Sequence, residues 1–182
     1  MKDAGTKILI GDGPLLSEYK SKYTDVIFLG EIRDRHELAR YYKYVAGLYA
    51  GGDQNRGAFV FPSMSEVFGV VMLEAMACRL GVAAFDCSGP KDVVTINVNG
   101  ILCQVPIDDK DIESWRASAI VNLAKIIPQA IELKASAVAN SVKDCTWDAI
   151  ANQWYENLCY IPEALRNKNH KVDRETFGNL DC

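Results

Sequence analysis

The stretch from Ala58 to Cys78 limits the fold of this chain more than any other. Ala58-Phe-Val-Phe61 is an apolar run with the length and aromatic content of a buried strand, and Pro62 and Ser63 stop it. After a short polar turn, every residue from Val67 to Cys78 is apolar or small except Glu74. This segment reads as a helix with no polar face to which a carboxylate could belong.

An ionised carboxylate in such a place must open onto a cleft, be paired, or wait for a ligand. Glu66 stands eight positions earlier, which on a helical rise puts the two groups roughly 12 Å apart. Between them Phe68, Gly69 and Val70 form the expected helix start, where unpaired N–H groups and the macrodipole favour an anion and Gly69 admits close approach. Two carboxylates accepting from hydroxyls on either side of an anion site suit a phosphate flanked by hydroxylated groups. The plainer alternative is structural: Glu66 as dipole partner and Glu74 in a salt bridge.

Strands alternate with helices along most of the chain. Lys7-Ile-Leu-Ile10 reads as a strand, Gly11-Asp-Gly-Pro14 as a turn, and Leu15 to Lys22 as a helix. The Gly-x-Gly of that turn lacks the third glycine of a dinucleotide fingerprint, so it is read as structural or as lying near a nucleotide. Val26 to Gly30 forms the next strand, and Glu37 to Val45 a helix with Leu38, Tyr41, Tyr42 and Val45 facing a core. Gly47 to Gly57, glycine-rich with a polar tip, reads as a flexible surface insertion or a lid. Val82 to Phe85 is a further strand, and Asn99-Gly100 supplies the positive dihedrals of a turn into the strand ending at Cys103. Helices follow from Asp111 to Ile127, from Pro128 to Val142, and from Trp147 to Tyr160, with aspartates 108, 109 and 111 at the first entrance and Thr146 at the last. Trp147, Ile150, Trp154 and Leu158 form an apolar stripe, and residues 162–182 are a polar tail. The pattern predicts an α/β fold, a Rossmann-like parallel sheet flanked by helices, with its site at the carboxyl ends of the strands and one domain over residues 1–161.

Composition narrows the function. A chain of 182 residues, 49% hydrophobic and 24% charged, suits a globular domain, and a net charge of -4 without a basic run excludes nucleic acid as partner. No apolar run spans a bilayer and the start is no secretory signal, so a cytoplasmic location is expected, with peripheral membrane association still open. The six cysteines contain no Cys-x-x-Cys pair, which argues against a metal site and for free thiols.

Pro62-Ser63, then Glu66, seven residues, Glu74, and Ala75-Met-Ala-Cys78 closely resemble the signature of retaining glycosyltransferases of the GT-B fold, particularly family four. The resemblance covers about residues 6 to 161 and implies the carboxyl-terminal, donor-binding half of such an enzyme. It implies that Glu66 contacts hydroxyls of the donor hexose, that Phe68, Gly69 and Val70 hold the diphosphate, and that Glu74 holds the ribose. It also implies that Gly30, Glu31 and Ile32 lie against the nucleobase and Gly11 and Gly13 near the crevice. Lys91, ahead of Asp92, would assist departure of the diphosphate or be a solvated surface lysine.

Three departures stand out: Val67 and Arg79 where the family has Gly, and Gly81 where it has Pro, so a different helix exit is expected. The family also has, ahead of the segment matching Lys7 to Ile10, a strand and helix with a diphosphate-clamping Arg and Lys, and an acceptor domain before that. The first strand-helix unit is therefore expected to be missing, with an acceptor-binding domain on another chain as one way to complete the site. The implied reaction transfers a hexose from a nucleoside-diphosphate sugar to an acceptor hydroxyl with retention, without metal or further cofactor. The alternative is a non-catalytic nucleotide-sugar-binding or interaction subunit.

Overall fold

The computed structural model describes residues 5–53, 55–106 and 111–158. Two compact units divide the chain, Met1–Lys143 and Asp144–Cys182. In the first, strands and helices alternate: β1 (Lys7–Ile10), α1 (Leu16–Lys22), β2 (Val26–Gly30), α2 (Arg35–Val45), β3 (Ala58–Phe61), α3 (Val70–Ala77), β4 (Gly81–Phe85), α4 (Ser88–Val93), β5 (Gly100–Cys103), α5 (Ile112–Ile131) and α6 (Ala135–Ser141). The second contains α7 (Trp147–Leu158), where Thr146 Oγ1 accepts from the Ala149 amide. Residues 162–182 and Asp108 and Asp109 lie outside the described residues, as do the side chains of Trp154 and Leu158.

Every strand pairing is parallel among the described residues, as the alternation predicts. The strands form a pair, β1-β2, and a separate triplet, β3-β4-β5. β4 is the middle strand of the triplet, buried at all five positions. Because side chains alternate across a strand, Val82 and Ala84 pack with Met72 and Met76 of α3 and Val138 of α6. Ala83 and Phe85 point the other way, onto Ala119, Leu123, Ile126 and Ala130 of α5. A third cluster joins Tyr42 and Ala46 at the end of α2 to Ala75, Cys78 and Leu80, with Ile10 of β1 and Phe59 of β3 against it.

Four local expectations are corrected. Pro128 does not break a helix: α5 runs through it to Ile131. Burial of Ile126 and Ala130 on either side holds the turn, and Gln129 Nε2 donates to the Lys125 carbonyl at 3.4 Å. The positive dihedral near Asn99-Gly100 belongs to Asn97, φ 64°. Asn99 is instead a buried bracket, accepting from the Thr95 amide at 2.8 Å and donating to the Val93 carbonyl and Ser141 Oγ.

The described residues of the Gly47–Gly57 segment are tied down where a flexible loop is expected. Leu48–Ala50 form a 3₁₀ turn. Asp53 accepts from the Ser136 amide at 2.7 Å and its hydroxyl at 2.6 Å, capping α6 from 83 residues away, and Asn55 donates to the Leu133 carbonyl at 3.1 Å. The Ser136 hydrogen bonds hold the Asp53 carboxyl below its ordinary range.

Finally, α3 leaves by the ordinary left-handed route despite lacking its glycine, because Arg79 itself adopts φ 75°. The Leu80 amide still reaches back to the Ala75 carbonyl at 3.0 Å. An L-residue there costs roughly 1–2 kcal/mol, partly offset in the unfolded chain by roughly 0.4–1 kcal/mol relative to glycine. Arg79→Gly should therefore stabilise the protein by about 0.5–1 kcal/mol, raising the melting temperature by about 2 °C. A thermal melt showing no rise would contradict this account.

Candidate functional site

The site begins where α3 begins, at Val70, within the Phe68-Gly69-Val70 start that the sequence predicts. Gly69 precedes the helix at φ 79°, a conformation L-residues avoid, and α3 has no side-chain cap. Only four of the eight steps from Glu66 to Glu74 are helical, so the 12 Å spacing expected along one axis does not apply. Glu66 lies in the loop, its Oε1 accepting from the amides of Val67 at 3.0 Å and Phe68 at 3.3 Å. The carboxylate thus takes one of the three amides expected to hold an anion, that of Phe68.

Helix α4 closes against this loop. The Gly89 amide donates to the Glu66 carbonyl at 2.8 Å. A Cβ on Gly89 would stand 2.8 Å from the Phe68 nitrogen and 2.9 Å from the Glu66 oxygen, so only glycine allows this approach. Sequence reasoning missed Gly89; the Ser-Gly-Pro turn after β4 was its only signal. Lys91, two residues on, is 3.4 Å from Asp86 Oδ1 and half-exposed, a paired cation. Burial pushes the Cys87 thiol up, and the charges of Asp86 and Glu66 push it further against the pull of Lys91.

Glu74 faces the other side. With its side chain 31% exposed, it lies 3.9 Å from Arg35 at the start of α2. The two border a cleft of about 230 Å³ with Leu38, Ala39, Tyr42 and Cys78. Burial, then the charges of Glu74 and Cys78, push the Tyr42 phenol up to about 12, so it stays protonated and able to donate. A cavity of about 340 Å³ lies elsewhere, lined by Gly51, Gly52, Asp53, Asn55 and Arg56. Asp53 and Asn55 already hold the α5–α6 junction.

At the carboxyl ends of β1 and β2, the Gly11 amide donates to the Gly30 carbonyl at 2.8 Å. Gly13 donates to the Asp12 carboxylate at 2.7 Å, and Glu31 pairs with Arg33. Ile32 follows in the same loop. Among the described residues no hydrogen bond or ion pair joins Gly11, Gly13, Gly30, Glu31 or Ile32 to Glu66 or Glu74. Arg35, three residues beyond Ile32, is what reaches Glu74 from that side. The described residues contain no group of three or more His, Cys, Asp and Glu arranged for a metal, and no helix long and apolar enough to cross a membrane.

Residues 8–119 match the family model described as glycosyl transferases group 1. The chain belongs to this family. A sucrose synthase from Acidithiobacillus caldus is 29% identical to this chain over 162 residues, 80% of the chain and 20% of that protein. The solved sucrose-phosphate synthase from Thermosynechococcus elongatus is 25% identical with a TM-score of 0.53, over 84% of the chain and 38% of that structure. HepE of Anabaena, solved in complex with UDP, is 24% identical with a TM-score of 0.52, over 86% of the chain and 41% of that structure. The chain thus spans between a fifth and about two-fifths of these proteins, and the likeness establishes an α/β fold of the GT-B type.

Proposed function

We propose that this chain is the donor-binding half of a retaining hexosyltransferase, taking a nucleoside-diphosphate sugar in the cytoplasm and passing the hexose to an acceptor hydroxyl. The observation that carries the reading is the uncapped start of α3, entered through Gly69 and flanked by Glu66 in the loop and Glu74 one turn inside. The diphosphate takes the amides of Phe68, Gly69 and Val70. To admit it, Glu66 gives up the Phe68 amide and turns its carboxylate to the hexose hydroxyls, so donor and carboxylate exchange one hydrogen-bond partner. Glu74 accepts from the ribose hydroxyls at the mouth of the cleft it shares with Tyr42, and the base lies against the Gly30-Glu31-Ile32 backbone. Charge developing on the leaving diphosphate is stabilised by the helix dipole and by Lys91 once it turns from Asp86. No metal or further cofactor takes part, and the acceptor is presented by a separate domain. UDP bound to the structurally similar HepE supports a nucleotide donor.

Calorimetric titration of the chain with UDP-, GDP- and ADP-sugars tests this. One donor should bind saturably, and Glu66→Ala and Glu74→Ala should each weaken it by about 10- to 100-fold, the worth of a hydrogen bond to a charged group. Absence of binding by a chain shown to be folded would remove the donor reading and leave an interaction role.

A further inference from the structure

Asn99-Gly100 is the one Asn-Gly step in the 182 residues. Such a step is among the most labile that a chain can carry, because glycine has no side chain to keep its backbone nitrogen from the preceding amide. The fold requires both halves of it. A Cβ on residue 100 would stand 2.8 Å from the Val82 carbonyl oxygen and 2.9 Å from Val94 Cγ1, so glycine is needed where β5 pairs with β4. Asn99, 2% exposed, is needed for its side-chain amide.

Three contacts fix the orientation of that amide. The Thr95 N–H, 2.8 Å away, is met by the oxygen, and the Val93 carbonyl, 3.3 Å away, by the nitrogen. Ser141 Oγ gives its own proton to the Val138 carbonyl at 2.7 Å, so it accepts from Asn99 Nδ2 at 3.0 Å. The backbone of Asn99 is held as well. Its carbonyl accepts from the Val82 amide at 3.0 Å and its amide donates to the Thr95 carbonyl at 3.1 Å. Held in this way, Cγ of Asn99 is kept from swinging onto the Gly100 nitrogen.

We propose that Asn99-Gly100 is a deamidation site that the folded chain closes and unfolding opens, and that its products cannot return to the fold. In the open chain the Gly100 backbone nitrogen gives up its proton and attacks Cγ of Asn99. The new N–Cγ bond closes a cyclic imide as the side-chain nitrogen leaves, taking up a proton as ammonia. Water then opens the ring on one side or the other, leaving aspartate or isoaspartate at position 99 with no oxidation or reduction. Aspartate has no N–H for the Val93 carbonyl, and it sets a buried carboxylate against that oxygen. Isoaspartate routes the backbone through the side chain, adding a carbon ahead of Gly100. That carbon pulls the hydrogen bond from Val82 to residue 99 and the pairing of Val82 with Gly100 out of alignment. Either product leaves the folding equilibrium for good, so time spent unfolded limits the life of the chain.

Peptide mapping by mass spectrometry of the whole chain, kept reduced at neutral pH, tests this. In unfolding urea the peptide containing Asn99 should gain the mass of an amide converted to an acid. Without urea it should do so at least about 100-fold more slowly, since reaction waits for opening. On dilution from urea, the fraction regaining slow hydrogen exchange at Val82–Phe85 should fall in step with conversion at Asn99, whereas a brief exposure should be fully reversible. Asn99→Asp should melt well below the parent or fail to fold. Asn99→Ala, which brings no charge and cannot deamidate, should refold as fully after long exposure as after brief. The proposal is overturned if the folded chain converts at Asn99 nearly as fast as the unfolded one, if converted chains regain native exchange, or if Asn99→Ala loses refolding at the parent's rate. No donor enters these readouts, so their failure leaves the donor-site reading standing.

Discussion

Gly81→Ala is expected to cost about 3 kcal/mol of stability, at the upper end of what overpacking a core does. A methyl on Gly81 would sit 2.2 Å from the carbonyl oxygen of Ala130 and 3.2 Å from Leu133 Cδ1. The first obstacle is backbone, so no side-chain rotation relieves it. Either α5 must lift off the sheet, opening its contact with Ala83, Phe85 and Ile101, or β4 must shift against both of its partner strands. A domain of this kind has roughly 5–15 kcal/mol to lose, so the variant should fold but melt about 10 °C lower. Urea denaturation giving a loss below about 1 kcal/mol would show that α5 is not held against β4 as described.

Gly89→Ala is expected to leave the fold standing and weaken donor binding. The new methyl meets the backbone of Glu66 and Phe68 at 2.8 to 3.0 Å, and the loop carrying both must move by several tenths of an ångström or more. The core clusters include neither residue, so the melting temperature should fall by only a few degrees, the scale of about 1 kcal/mol. Displacement of positioning groups on an ångström scale costs about 100-fold, and titration should find donor affinity reduced by about that factor. A folded Gly89→Ala protein binding its donor like the parent would place the diphosphate away from this loop.

Strands were legible in the sequence because their apolar runs are short and bounded: all five lie where the pattern predicts them. The start of α3 at Phe68-Gly69-Val70 was legible too, but the left-handed backbone by which Gly69 enters it was not, since Val67 and Phe68 are as apolar as the helix that follows. The tie between Asp53 and Ser136 spans 83 residues and leaves no local trace. Arg79 shows the limit of residue preference, because the chain pays for a left-handed arginine sooner than change its path. At the candidate site, spacing and resemblance to a family signature single out Glu66 and Glu74, while Gly89 and Arg35 take their places through close approach and proximity, which composition does not encode. That the parallel strands fall into two separate sets was equally out of reach, because pairing is decided between elements.

β4 also shows how a strand keeps its register when polarity offers no guide. With both faces buried, a slip of one residue would expose nothing polar and bury nothing charged. What differs between the faces is bulk: Val82 and Ala84 fill the side of the two methionines, while Ala83 and Phe85 set the one large ring beneath α5. Such a slip would press that ring into a space closed by Met72 and Met76 and leave a void under the helix. In this strand, size rather than solubility is the key that fits one alignment.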